Sequence, residues 1–179
     1  LMHSKHVLCE KPLVLSTKEA EELYSLAKQN NCVLVEAIKT AFSPGFIRLI
    51  SIAKSGLIGK IKNVDATFTK LVSGEIRELD SKQAGGSVTE LGTYPLLAIV
   101  KLLGSDVKET GFYSYFDEEQ EIDLFTKINM VYDDAIATAK VGLGVKSEGD
   151  LIISGTKGYV YVPSPWWKTE YFEVRFEDF

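Results

Sequence analysis

The sequence has 179 residues, of which 45% are hydrophobic and 25% are charged, and its formal net charge is −5. This composition is typical of a globular chain and excludes a disordered one. The net negative charge argues against nucleic-acid binding, which needs a concentrated basic face. No apolar run approaches the roughly 20 residues that span a bilayer, and no charged leader followed by an apolar core opens the chain, so we expect a cytoplasmic protein with no nucleic-acid or membrane partner.

The cysteine and histidine residues predict neither a disulfide framework nor a metal site. Cys9 and Cys32 lie in or beside short apolar runs, where an unoxidised cysteine behaves as a small buried hydrophobe. His3 and His6 are three positions apart, but no third ligand accompanies them. The chemistry of the chain therefore rests on other side chains.

The first forty residues predict a strand, a helix and a second strand. The apolar run at residues 6–8 is a short strand, and Ser16 with Glu19 forms a capping box that begins a helix ending near Asn30. Residues 32–35 form an unbroken apolar run, as expected of a strand covered on both faces. The short crossover favours a parallel pair of strands. The apolar positions of the helix are Ala20, Leu23, Tyr24 and Ala27.

The tetrapeptide Cys9-Glu10-Lys11-Pro12 ends the first predicted strand. Proline fixes its own φ and disfavours helical geometry at the preceding residue, so Lys11 is held in extended geometry at the carboxyl end of a strand. Ligands collect at that edge in open α/β sheets. The alternative is an ordinary exposed Glu-Lys pair before a loop.

Beyond residue 36 the pattern predicts two more helices and many strands. Ser43 caps a helix that has Pro44 at its first position and ends at Gly56, and a further helix covers residues 88–103. Short turn segments between the strand candidates favour antiparallel pairing. The predicted fold is α+β, a large open and mostly antiparallel sheet with helices on one face, preceded by the strand-helix-strand piece. The apolar positions of the Ser43 helix are Ile47, Ile50 and Ala53, and the strand candidates are residues 61–69, 107–115, 123–131, 135–141, 151–154, 159–162 and 171–176.

A glycine-rich stretch at residues 85–95 carries the second candidate site. Glu90 and Tyr94 are four residues apart, so a helix presents both on one face, while Pro95 removes a backbone donor and kinks or relaxes that turn. A phenol serves as proton donor only if its pKa is lowered from about 10, and a nearby ammonium lowers it. Lys11 is the candidate ammonium. The alternative is a Tyr94 side chain that packs against the sheet with its hydroxyl bonded to a carbonyl.

Trp166 and Trp167 follow the segment Pro163-Ser164-Pro165 and offer two large aromatic surfaces. They could stack against a sugar or cover an oligomer contact, and an aromatic plug over the sheet is the alternative. The open sheet face implies an exposed hydrophobic patch, and a homodimer or homo-oligomer is the usual way of covering it.

Three motifs of the chain together resemble one protein family. They are Val7-Leu8-Cys9-Glu10-Lys11-Pro12, then Ser55-Gly56-Leu57-Ile58-Gly59-Lys60, and then Gly85-Gly86 followed by Glu90-x-Gly92-x-Tyr94-Pro95. In this order and spacing they resemble the Gfo/Idh/MocA oxidoreductases, the relatives of glucose-fructose oxidoreductase, inositol dehydrogenase and dihydrodiol dehydrogenase. The resemblance implies an NAD(P)-dependent dehydrogenase of sugars, polyols or related alcohols. The implied domains are residues 1–38, a remnant of the Rossmann nucleotide-binding domain, and residues 39–179, the substrate-binding and oligomerisation domain.

The resemblance also implies roles for single residues. Lys11 falls on the catalytic lysine beside the nicotinamide and the reacting hydroxyl, and Glu10 and Pro12 shape the nicotinamide wall. Glu90 stands where aspartate is usual. Tyr94 stands where histidine is frequent, and a tyrosine at this position resembles the dihydrodiol dehydrogenase and glucose-fructose oxidoreductase members. The implied reaction is hydride transfer, with Tyr94 passing the proton and Lys11 holding the phenol in its more acidic form. The predicted cofactor contacts are Glu10, Lys11 and Pro12, and the predicted substrate contacts are Lys11, Glu90, Tyr94 and Trp166.

The main nucleotide-binding motif is absent from this sequence. No G-x-G-x-x-G follows a strand, and Gly142-Leu143-Gly144 is a lone G-x-G in a strand-rich region. The chain therefore resembles a fragment whose upstream strands are missing, and we expect no turnover by it alone, because the cofactor loses its pyrophosphate anchor. The substrate and the choice between NAD and NADP stay open. A non-catalytic ligand-binding or oligomerisation module with the same fold is the alternative function.

Overall fold

The computed structural model describes residues 1–177 and divides into two compact units. The first unit covers residues 1–39, and the second begins at Thr40. Asp178 and Phe179, which follow the last predicted strand, lie outside the described residues. Every helix within residues 1–177 is too short or too polar to cross a lipid bilayer.

The first unit is a strand, a helix and a strand. β1 (Val7–Cys9) is followed by α1 (Thr17–Gln29) and β2 (Leu34–Glu36). β1 and β2 pair in parallel, with Val7 opposite Leu34 and Cys9 opposite Glu36. The predicted piece of a Rossmann fold and its parallel pairing are therefore confirmed.

Helix α1 begins and ends where its caps predict. The Ser16 Oγ accepts a hydrogen bond from the Glu19 amide at 3.3 Å, and the Ser16 hydroxyl donates to the Glu19 carboxylate at 3.0 Å. Asn30 caps the carboxyl end. Ala27 is buried, as predicted, whereas Tyr24 is 49% exposed, so its assignment to the buried face was wrong.

The two strands of this unit are not covered on both faces, contrary to the prediction for residues 32–35. All three residues of β2 are only half-buried, and Leu8 in β1 and Val33 just before β2 are more than half exposed. The reason is that β1 and β2 form a two-stranded sheet by themselves, so the described part of this unit has too few elements to bury both faces.

The helices that follow are α2 (Lys39–Phe42), α3 (Pro44–Lys54), α4 (Ser87–Leu91) and α5 (Thr93–Leu103). Helix α3 begins as predicted, with the Ser43 Oγ accepting from the Phe46 amide at 3.4 Å. Its buried face carries Phe46, Leu49 and Ala53, whereas Ile47 is exposed. The prediction is therefore confirmed for Ala53 and for Ile50, which packs against the core, and is wrong for Ile47. This helix has apolar residues around much of its circumference, so periodicity alone could not select the inner side.

Helices α4 and α5 replace the single predicted helix over residues 88–103. Pro95 has no amide hydrogen, so the Leu91 carbonyl lacks the helical donor that it would otherwise have. The helical pattern resumes with the Leu96 amide donating to the Gly92 carbonyl at 3.1 Å. Glu90 therefore lies on α4 and Tyr94 on α5, with Gly92 between the two helices in α-helical geometry (φ −59°, ψ −33°).

The second unit contains a seven-stranded sheet in the order β4-β5-β6-β3-β7-β8-β9. All neighbouring strands are antiparallel except β3 and β6, which are parallel. The predicted α+β class with a mostly antiparallel sheet is confirmed. The strands are β3 (Ile61–Thr69), β4 (Glu109–Asp117), β5 (Ile122–Val131), β6 (Ile136–Gly142), β7 (Leu151–Gly155), β8 (Tyr159–Val162) and β9 (Glu173–Arg175), and 3-10 turns lie at Arg77–Leu79, Ser81–Gln83 and Trp166–Lys168.

The core of this unit lies between the helices and one face of the sheet. Leu49 of α3 and Ile99 of α5 are fully buried in the same cluster as Val64, Ala139 and Ile153 of the sheet. Removing these apolar side chains from water stabilises the fold by about 25 cal/mol per Å² of apolar surface buried.

The opposite face of the sheet is less apolar than predicted. Its centre carries charged and polar side chains, among them Asp65, Lys127 and Lys140. Aromatic residues lie at its edge, where Tyr113 and Tyr115 of β4 are more than 60% exposed. Tyr113 stands directly opposite Lys127 in the β4–β5 pair, so the two side chains share this face.

Candidate functional site

The candidate corner of the first unit follows β1 directly. Lys11 and Pro12 are half-buried, Glu10 is exposed, and the Lys11–Pro12 peptide bond is cis. The Leu13 amide donates to the Glu36 carboxylate at 3.0 Å, which anchors the corner to the end of β2. Because β1 and β2 are parallel, their carboxyl ends share one edge, and Lys11 lies at that edge.

In the second unit, Tyr94 packs against one ring of an aromatic stack. Tyr94 is half-buried near the start of α5, and its ring packs edge-on against Phe68 with the centroids 5.1 Å apart. Phe68, on β3, also stacks on Trp167 at 3.6 Å with the planes 9° apart. The Thr40 hydroxyl donates to the Trp167 carbonyl at 2.7 Å and holds that end in place. We call Phe68, Tyr94 and Trp167 the aromatic cluster.

Trp166, a predicted substrate contact, has no exposed surface in the structure. Its ring is 0% exposed, and its indole N–H donates to the Thr67 carbonyl at 2.8 Å. It also packs against Phe46, with the centroids 6.3 Å apart. This burial favours the aromatic-plug alternative, and the assignment of Trp166 to the substrate stays a prediction. The neighbouring Trp167 is half-buried. It stacks on Phe68, which in turn packs against Tyr94.

Glu90 is a nearly buried carboxylate on α4, with a residue exposure of 5%. Its Oε1 lies 2.7 Å from Nη1 of Arg77, a half-exposed residue in the turn Arg77–Leu79. The hydrogen bond to Glu90 is the main reason that the pKa of the Arg77 guanidinium is raised above its usual value. Sequence reasoning missed Arg77, because no periodicity or motif links it to a carboxylate 13 residues later.

The start of α4 is fixed to the sheet by Asp123 and Ser87. The Asp123 carboxylate accepts from the Val88 amide at 3.1 Å and from the Thr126 hydroxyl at 2.7 Å. The Ser87 hydroxyl donates to the Asp123 carbonyl at 2.9 Å and accepts from the Leu143 amide at 3.0 Å. Burial raises the pKa of the Asp123 carboxyl, although the hydrogen bonds from Thr126 and Val88 oppose the shift. Sequence reasoning missed Asp123 as well, because it caps a helix that precedes it in the chain.

The described residues contain no metal centre. Over residues 1–177, no three His, Cys, Asp or Glu side chains are grouped so that they could hold an ion. The groups that remain as candidates for a cofactor are Glu10, Lys11 and Pro12 at the edge of the first unit. The structure does not contradict the predicted assignments of Lys11, Glu90 and Tyr94, which stay predictions.

Two family models match consecutive parts of the chain. Residues 1–38 match a model described as "Oxidoreductase family, NAD-binding Rossmann fold", and residues 46–161 match "GFO/IDH/MocA C-terminal domain". The fold and the two matches define the class of protein, a piece of a nucleotide-binding fold followed by an open-sheet domain. The chain belongs to the GFO/IDH/MocA family, as its motifs predicted.

Several relatives that match this chain are named dehydrogenases. A trans-1,2-dihydrobenzene-1,2-diol dehydrogenase of Sus scrofa is 29% identical over 168 residues, which cover 93% of this chain and 50% of the relative. A scyllo-inositol 2-dehydrogenase (NADP(+)) of Bacillus subtilis is 37% identical over 122 residues, which cover 62% of this chain and 36% of the relative. The chain thus spans about half the length of the dihydrodiol dehydrogenases that it matches.

The fold is also that of solved structures. The aldose-aldose oxidoreductase of Caulobacter crescentus, crystallised with glycerol, superposes with a TM-score of 0.86 at 21% identity, covering 98% of this chain and 54% of that one. At this identity the likeness shows a common fold and no more.

Proposed function

We propose that the protein carrying this chain is an NAD(P)-dependent dehydrogenase. It transfers a hydride between a nicotinamide cofactor and a sugar, a polyol or a dihydrodiol-type alcohol. The observation that carries the proposal is the pair of consecutive family matches, over residues 1–38 and 46–161, on a chain whose motif residues Lys11 and Tyr94 fall one in each. The dehydrogenase names of the relatives support it.

The residues of the first unit fit a nicotinamide. Lys11 and Pro12 follow a parallel strand at its carboxyl end, the edge where such folds bind ligands, and neither is fully exposed. When bound, the nicotinamide supplies the hydride donor or acceptor. In this proposal Glu10 and Pro12 shape the wall beside it, and the Lys11 ammonium contacts the reacting hydroxyl.

Tyr94 is the proposed acid and base. An ammonium close to a phenol favours the phenolate and so lowers the phenol pKa, which lets the hydroxyl give and take a proton at neutral pH. Lys11 is the proposed ammonium. Glu90 is the proposed acceptor for a second substrate hydroxyl. The edge-on contact with Phe68 restrains the Tyr94 ring on one side. Such a restraint suits a proton-transfer group, because that group must be oriented towards the substrate.

The aromatic cluster supports a ring-shaped substrate. Sugars, cyclitols and dihydrodiols have one largely apolar ring face, and such faces pack well on aromatic side chains. Phe68 packs edge-on against Tyr94 and stacks on Trp167. We therefore favour cyclic alcohols over small linear ones.

The test is NAD(P)-dependent turnover by the full-length protein that contains this chain. Sugars, inositols and a trans-dihydrodiol are assayed with each cofactor, and Lys11→Ala and Tyr94→Phe are compared with the wild type. We expect each substitution to lower kcat/KM by about 100-fold or more, the size typical of a lost acid-base group. Lys18→Ala and Tyr24→Phe, which alter an exposed lysine and an exposed tyrosine of α1, serve as matched controls without effect. Turnover that survives both site substitutions would contradict the proposal.

A non-catalytic oligomerisation module is the second candidate function. The exposed Tyr113 and Tyr115 on the open sheet face favour a homo-oligomer through that face. Sedimentation of the full-length protein tests this, with Tyr115→Glu expected to shift the population towards monomer and Tyr24→Glu expected not to. Self-association with neither cofactor binding nor turnover would favour the module over the enzyme.

A further inference from the structure

The ion pair between Arg77 and Glu90 joins a surface turn to a nearly buried carboxylate. The Glu90 side chain is 7% exposed, whereas the Arg77 side chain is 50% exposed. A carboxylate removed from water is costly unless a cation or several donors compensate it. Arg77 supplies such a cation at 2.7 Å, and its guanidinium cannot be deprotonated in the range where proteins are active.

The chain leading to α4 is built so that Arg77 reaches Glu90. The Gly86 amide donates to the Glu78 carbonyl at 2.9 Å, and the Gly85 amide donates to the Asp80 carbonyl at 2.9 Å. A Cβ at Gly85 would lie only 2.7 Å from the Glu78 carbonyl oxygen, and Gly86 has a φ of +114° that L side chains rarely adopt. Both glycines therefore permit the turn that carries Arg77 to lie against the start of α4.

Arg77 also faces a groove in the second unit. The groove has a volume of about 490 Å³, and Arg77, Asp80 and Glu119 are among the residues that line it. The guanidinium thus lies between solvent on one side and the carboxylate of α4 on the other.

We infer that Arg77 is a positioning residue, which keeps Glu90 ionised and oriented as the hydrogen-bond acceptor for a substrate hydroxyl. The inference rests on the proposed dehydrogenase function, in which Glu90 contacts the substrate. Without Arg77, the nearly buried Glu90 carboxyl gains protons more readily, because burial favours its neutral form and the compensating cation is gone. A protonated Glu90 accepts fewer hydrogen bonds, so substrate affinity falls at the acid side of the pH range.

The experiment compares Arg77→Met, Arg77→Lys and Glu90→Gln, with the double variant Arg77→Met/Glu90→Gln, in the full-length protein. For Arg77→Met we expect KM to rise by about 10- to 100-fold, the scale of a misplaced positioning group, with a smaller fall in kcat. The acid limb of the kcat/KM profile should move to higher pH. Arg77→Lys keeps a cation, so its KM and its acid limb should both lie close to those of the wild type.

The double variant separates positioning from folding. With Glu90→Gln present there is no charge left to hold, so adding Arg77→Met should change KM and the acid limb little further. A purely structural Arg77 would instead lower the amount of active protein, leaving KM and the pH profile as they are. Arg175→Met, which removes an exposed ion pair with Glu173 at 2.6 Å, is the matched control and should alter neither quantity.

The outcomes distinguish this inference from the proposed function. If the wild type shows no cofactor-dependent turnover, the proposed function fails and the role of Arg77 fails with it. If the wild type turns over substrate but Arg77→Met keeps the wild-type KM and acid limb, or if the two substitutions are additive, only the role of Arg77 is overturned.

Discussion

Replacing Asp123 by alanine tests how the helix that carries Glu90 is held. The Asp123 carboxylate accepts hydrogen bonds from the Val88 amide, in the first turn of α4, and from the Thr126 hydroxyl. Alanine removes the carboxylate that accepts both hydrogen bonds. The Val88 amide is then left at a helix start without its capping partner, which is a position where an unpaired donor is costly.

The expected cost of Asp123→Ala is about 1–2 kcal/mol. Loss of a capping carboxylate costs about 0.5–2 kcal/mol, and the Thr126 hydroxyl adds little because the Ser114 hydroxyl lies 2.8 Å from it. Part of the loss is offset, because a partly buried ionised carboxylate no longer has to be desolvated. With an m-value of about 2 kcal/mol/M, the urea midpoint should fall by about 0.5–1 M.

Tryptophan fluorescence is the suitable assay. Both tryptophans of the sequence, Trp166 and Trp167, lie in the second unit, so urea unfolding followed by their emission reports on the unit that contains Asp123. Asp133→Ala is the matched control. Asp133 is a 79% exposed carboxylate paired with Lys108 at 3.3 Å, and its loss should move the midpoint by less than about 0.2 M.

The pH dependence of Asp123→Asn gives a second, independent check. Burial raises the pKa of the Asp123 carboxyl in the folded state, so folding favours its protonated form. That contribution to stability is fully present below the unfolded pKa of about 4 and is lost as the pH rises through the folded pKa. Asparagine does not ionise, so the variant should gain stability relative to the wild type between pH 4 and pH 7. Two results would refute the reasoning. One is an Asp123→Ala urea midpoint equal to that of the wild type. The other is a wild type whose stability relative to Asp123→Asn increases as the pH rises from 4 to 7.

Two further predictions concern close packing and the extent of the chain. Gly45→Ala should destabilise the second unit by about 1–3 kcal/mol in the same fluorescence assay, because the new Cβ would overlap the Thr169 carbonyl oxygen, which belongs to the backbone and cannot move aside cheaply. Gly111→Ala is its control, since the nearest atom there is a Tyr113 side-chain carbon at 3.4 Å; equal losses for both variants would contradict the packing argument. The 179-residue chain assayed alone should show no NAD(P)-dependent turnover, because its sequence has no G-x-G-x-x-G loop to bind a pyrophosphate, and turnover above a Lys11→Ala background would overturn this expectation.

The parts of the fold that sequence patterns predicted are those set by local chemistry. Ser16 and Ser43 cap helices at the predicted positions, and strand β3 occupies residues 61–69 as its alternation indicated. Caps, alternating residues and turn segments act over a few residues, so they can be read from the sequence without knowledge of the packing. The family motifs belong to the same category, because they are short and ordered along the chain.

The parts that the sequence could not predict depend on contacts between distant residues. Ile47 of α3 was assigned to the inner face but is exposed, because the helix has several apolar sides and only its packing decides which side is buried. Trp166 and Trp167 are adjacent and chemically identical, yet one donates to the Thr67 carbonyl 99 residues away and the other stacks on Phe68. No local pattern distinguishes them.

The helix α4 shows why the residues of the candidate site were easier to predict than their support. It has only five residues, and a helix of that length is not stable by itself in water. Besides the helix α5 that follows it, contacts from other segments support it, namely Asp123 at its first turn, the Leu143 amide on Ser87, and Arg77 on Glu90. Since each contact spans more than ten residues of sequence, a substitution far along the chain can displace Glu90 without touching it. The position of the Glu90 carboxylate thus depends on the packing of the sheet and the turn against α4, even though a short motif was enough to predict the residue.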